Sequence, residues 1–187
     1  MTTTPVHLRA RPLRYSATAK WMHWTIATAV IFMIPEGLIM KRLIDEGPTR
    51  EDLYYLHEAL GALVLIVMVA RLARRLVFGA PEPDKTLPPG ERDASLAAQY
   101  ALYILLLVVP ILGWLGTNAY GDPVSVFGLF NFPALLGKDI ALSDRIFVWH
   151  LAGGLLVALI VILHISAALY HHFAKRDSVL ARMMPRG

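Results

Sequence analysis

Four stretches of this chain are long and apolar enough to cross a bilayer, and this constrains the fold more than anything else in the sequence. They run approximately over 19–40, 53–76, 94–118 and 146–170, each meeting the requirement of about 20 mostly apolar residues for a spanning helix. Between them lie KRLIDEGPTRED, FGAPEPDKTLPPGERD and a longer segment around AYGDPVSVFGLFNFPALLGKD, whose Pro, Gly and charges mark connections. Hydrocarbon offers no water to satisfy stray backbone groups, so apolar spans of this length must be helical. The expected fold is an all-α integral membrane four-helix bundle, with 1–187 as a single transmembrane domain. A hydrophobic share of 56%, only 17% charged residues and a mean hydropathy of +0.52 agree with a lipid bilayer as the surroundings. The third connection, over 119–143, is apolar but broken by Gly and Pro, and is expected to lie at the membrane interface as a cap rather than to span.

Orientation follows from Lys and Arg, which stay on the cytoplasmic side of short loops. The N-terminal segment, the second connection and the tail carry thirteen of them, from Arg9 to Arg186, against five on the other side: Lys41, Arg42, Arg50, Lys138 and Arg145. Both termini are therefore expected in the cytoplasm. The start, MTTTPVHLRARPLRYSATAK, is basic, but the apolar run behind it is too long for a signal-peptide core and has no A-x-A-like cleavage site, so it is read as retained. The setting is a bacterial inner membrane crossed several times. The basic balance reflects this asymmetry and points to no nucleic-acid partner.

The stretch VWHLAGGLLVALIVILHISAALYHH, residues 148–172, places His150 and His164 inside a span. Fourteen residues are nearly four turns, roughly 21 Å along a helix, and return to within about 40° of the same direction. The two imidazoles thus share one face at two depths. His57 matches the depth of His150 on the outer side, and His23 that of His164 on the inner side. Intramembrane ionisable groups are functional by default, and bundles build cofactor sites from side chains on facing helices. Two imidazoles from opposite sides suit a six-coordinate haem iron, so the arrangement points to two haem b groups stacked across the membrane. No cysteine is present, which excludes thiolate clusters and covalent haem attachment. The residue four places after each of these histidines is small: Ala27, Gly61, Gly154 and Ala168. It lies one turn along the same face, where bulk would strike a flat macrocycle. A zinc site would need three or four ligands around one ion, whereas the depths supply two per level. Glu36 and Glu58, towards the outer surface, read as interface residues.

Four segments carry a resemblance. RYSATAKWMHW, LHEALGALVLIVMVARLARR, QYALYILLLVVPILGWL with VFGLFNFP, and HLAGGLLVALIVILHISAALYHHFAKRDSVLARMMP together resemble the bacterial di-haem cytochrome b-561 family, some of whose members act as superoxide oxidases. The six-helix ascorbate-linked cytochromes that share the name match four spans poorly. The resemblance implies the same four haem ligands, His23, His57, His150 and His164, and an enzyme passing electrons from periplasmic superoxide through two haems to ubiquinone. The alternative is an electron-transfer subunit serving a partner dehydrogenase. A non-redox protein binding metal through histidine is the third reading.

Three further side chains enter as candidates. Arg71 follows His57 by 14 residues and returns to the same face at the inner depth, where its forked donors suit a haem propionate or a quinone carbonyl; Lys20, one turn before His23, is a weaker candidate for the same task. His171, two turns beyond His164, is placed to hydrogen-bond a quinone or relay protons. His172 points elsewhere, and His7 has no role. On the outer side five basic residues stand against nine acidic ones, which opposes attraction of an anion; only a local patch of Arg50, Lys138 and Arg145 would offset it.

Overall fold

The computed structural model describes residues 15–82 and 87–185. Four long helices carry the fold: α1 over Ala17–Arg42, α2 over Pro48–Phe78, α3 over Pro89–Tyr120 and α4 over Ile140–Tyr170. Each is long and apolar enough to cross a membrane, so the chain is an all-α integral membrane bundle. Every helix runs beyond its apolar stretch. Hydropathy marks the part in hydrocarbon, whereas the backbone ladder continues until something ends it. The Ser16 side chain accepts from the Ala19 N–H and starts α1, and Asp139 accepts from the Leu142 N–H and starts α4. Proline stands in the first turn of α2 and of α3, where the missing N–H costs nothing. Gly121, at φ 114°, ends α3 in the left-handed conformation.

The 119–143 connection is not a span. It forms a short antiparallel hairpin, β1 over Ser125–Val126 and β2 over Phe130–Asn131. Val124 and Val126 bury against Ala62 of α2, with Trp114 and Phe132 beside them. The Trp114 indole N–H donates to the Pro133 carbonyl, and the Asn118 side chain accepts from the Leu135 N–H. Leu129, Phe130 and Leu135 remain exposed, as suits a segment lying against lipid headgroups.

The helices do not pack evenly. α3 lies closely along α4, α1 along α2 and α2 along α3, whereas α4 scarcely touches α1 and among the described residues makes no backbone approach to α2. The α3–α4 seam is close because its glycines admit side chains. A Cβ on Gly116 would meet the Phe147 ring at 2.9 Å, and one on Gly153 would meet Val109 Cγ2 at 2.6 Å. The Ser143 hydroxyl donates across this seam to the Gly116 carbonyl at 2.9 Å. The main buried cluster is Ile26, Ala29, Val30, Val64, Val67, Met68 and Val157. It occupies the middle of the bundle.

After Tyr170 the last helix loosens into a π-helical turn, His171–Lys175. The chain then folds back onto the start of α1. Lys20 Nζ donates to the Met184 carbonyl at 2.8 Å and Trp24 Nε1 to the Met183 carbonyl at 2.9 Å. The start of α1 and the tail thus share one end of the bundle, called here the terminal face; the hairpin lies at the opposite end.

Candidate functional site

Two levels of histidine lie between α4 and the α1–α2 pair. Near the terminal face, the rings of His23 on α1 and His164 on α4 have centroids 6.5 Å apart; near the hairpin end, those of His57 on α2 and His150 on α4 are 6.0 Å apart. The matched depths inferred from sequence are therefore matched rings in space. Val157, seven residues from each α4 histidine and 4% exposed, sits in the apolar cluster that separates the levels.

The spacing suits one metal ion between each pair. With metal–nitrogen bonds of about 2 Å, two imidazole centroids on opposite sides of an ion stand roughly 6 Å apart. Among the described residues no group of three His, Cys, Asp or Glu side chains is placed to hold a metal ion; each level offers two imidazoles, a donor set that would suit a haem iron better than a tetrahedral zinc shell. Because α4 scarcely touches α1 and stands off from α2, histidine side chains and not backbones close the distance. A Cβ on Gly154 would meet nothing within 4 Å.

The hairpin-end pair is held at its other ring nitrogens. His57 Nδ1 donates to Glu36 Oε2 at 2.6 Å, and His150 Nδ1 donates to the Val109 carbonyl at 2.9 Å. Committing Nδ1 to an acceptor fixes the tautomer and leaves the Nε2 lone pair for a metal. Two glycines press on these rings: a Cβ at Gly37 would lie 3.1 Å from His57 Cε1, and one at Gly113 3.1 Å from His150 Cε1. Glu36, expected from the sequence at the membrane interface, lies instead against a histidine ring. It is buried, 5% exposed, and its depth, 13 residues or about 20 Å along α1 from His23, is that of His57. A carboxylate at that depth inside a span was the available signal. Glu58 instead accepts from the Thr117 hydroxyl at 3.0 Å.

At the terminal face, Arg71 Nη1 donates to the Ala19 carbonyl, one turn before His23. It lines a shallow cleft with Tyr15, Ala19, Arg74, Arg75 and Tyr103. Lys20 is drawn away to the tail. His171 Nδ1 donates to Asp177 Oδ2, and its Nε2 lies 3.8 Å from Glu91 Oε2, a carboxylate that also binds Lys175 Nζ at 2.6 Å. His172 packs on Phe173. His7 lies outside the described residues. Of the basic residues expected at the other end, Arg50 donates to the Ile44 carbonyl and pairs with Glu46, Lys138 lies over Tyr120, and Arg145 is exposed.

The sequence profile of the prokaryotic cytochrome b561 family matches residues 14–186. Among its relatives are cytochrome b561 homolog 2 of Escherichia coli, 34% identical over 92% of both chains, and cytochrome b562 of Cereibacter sphaeroides, 30% identical over 87% of this chain and 90% of the other. A probable superoxide oxidase of Yersinia pestis is 27% identical over 92% of this chain and 98% of its own length. The chain belongs to the prokaryotic cytochrome b561 family, electron-transferring haem b proteins that cross the bacterial inner membrane several times.

Proposed function

We propose that this protein is a di-haem cytochrome that takes single electrons from superoxide in the periplasm and delivers them to ubiquinone, with both termini in the cytoplasm. What carries the reading is the pair of histidine couples at two depths, with ring separations of 6.0 and 6.5 Å. His57 and His150 would hold the outer haem, His23 and His164 the inner one. When bound, these groups supply reversible one-electron storage at two depths, which the protein positions and tunes. The stoichiometry is two superoxide ions losing one electron each to give two O2, while one ubiquinone gains two electrons and two protons to give the quinol.

The remaining work falls to the chain. The buried cluster around Val157 keeps water and ions out of the interval between the levels. Arg71, anchored on the Ala19 carbonyl, lines the cleft, where its other donors would hold an anionic propionate or a quinone oxygen. His171 Nε2, beside Glu91, hands on a proton taken up from the cytoplasm. The likeness to a probable superoxide oxidase supports the outer substrate. The acidic excess on the outer side favours a second reading, a carrier fed by a partner dehydrogenase, because an anion gains little steering there.

A reduced-minus-oxidised spectrum of the purified protein should show b-type haem at two per chain. Mixing with superoxide should then reduce haem within milliseconds and release oxygen; haem that stays oxidised would establish the carrier. Replacing His171 by Ala should slow quinone reduction with haem content unchanged, and unchanged turnover would remove it from the site.

A further inference from the structure

The two levels differ in what surrounds their imidazoles. Towards the hairpin end, His57 donates to a buried carboxylate whose second oxygen, Oε1, has no partner. Among the described residues no cation pairs with Glu36; His57 is its one hydrogen-bond partner. Towards the terminal face, neither His23 nor His164 has a hydrogen-bond partner among the described residues, and Arg71 reaches the carbonyl one turn before His23. A ligand imidazole that donates to a carboxylate becomes more basic and gives its metal more electron density, favouring the oxidised ion. A guanidinium near the other level favours the reduced one, and both act strongly where water is scarce.

We propose that Glu36 is a positioning residue that sets the potential of the outer haem below that of the inner haem, so that the bundle itself drives electrons from the hairpin end to the terminal face. The inference rests on the di-haem reading above. With both haems bound, the transfer would be of one electron, the outer group being oxidised as the inner one is reduced.

The test is a potentiometric titration of purified holoprotein, following the haem absorption bands, for wild type, Glu36→Gln and Glu36→Asp. Wild type should titrate in two steps. Glu36→Gln, which keeps an acceptor oxygen but loses the charge, should raise the lower midpoint and leave the upper one in place, and Glu36→Asp should restore part of the shift. A Glu36→Gln protein with both midpoints unmoved, or with the upper one moved instead, would overturn the proposal. If that variant fails to retain the outer haem, His164→Ala, which removes the inner haem, supplies the answer: its single midpoint must be the lower of the wild-type pair, and the higher value would overturn the inference. A wild type holding fewer than two haems would instead overturn the di-haem reading, and haem analysis of the same sample separates the two failures.

Discussion

At Gly113 an added methyl group would lie 3.1 Å from His150 Cε1 and 3.3 Å from its Nδ1, so the ring would have to give by a few tenths of an ångström. Gly113→Ala should therefore strain the imidazole against its bond to Val109, at a cost of about 1–3 kcal/mol for the overpacked site. The haem-to-protein absorbance ratio should fall; an unchanged ratio would mean that the ring yields. Replacing His57 or His150 by Ala should remove one haem and leave the other, whereas equal loss of both would show that the levels are not independent. Spacing along one helix leads to Ala27, Gly61, Gly154 and Ala168. It does not lead to Gly37 or Gly113, whose importance comes from a ring on a different helix.

Between the histidine levels the decisive element is α4, which buries only Ser143 and Val157 inside the bundle. Val157→Ala would open a small cavity in the apolar cluster and should destabilise the protein by about 1–2 kcal/mol, seen as a lower midpoint in detergent melting with haem content retained. A large loss of haem would mean that this layer also shapes the sites. The apolar interior of each helix is legible from sequence because length and hydropathy are properties of contiguous residues. The ends are less so: α4 begins at Ile140, six residues before its apolar run, because the Asp139 cap decides where the hydrogen-bond ladder starts.

Seen whole, the bundle is a close α3–α4 pair and an α1–α2 pair, joined along α2–α3 and opened between α4 and its partners across the core. The Lys and Arg distribution supports the proposed placement of the terminal face in the cytoplasm. With no native cysteine, single replacements read this directly. A membrane-impermeant maleimide added to intact cells, with the outer membrane permeabilised, should label Ser125→Cys and leave Ala181→Cys unlabelled until the inner membrane is opened. The reverse pattern would invert the topology and with it the direction of electron flow proposed here.

The amino-acid sequence by itself determined the number of spans, their helical state and the two depths at which histidines lie, because each follows from local hydropathy and a fixed rise per residue. Only the tertiary structure decided which rings face each other at 6.0 and 6.5 Å, that α4 stands off from α2, and that Glu36 holds His57. Those facts depend on how far apart two helices settle and how each is rotated about its axis. Packing across the whole bundle sets both quantities, and no run of neighbouring residues encodes them.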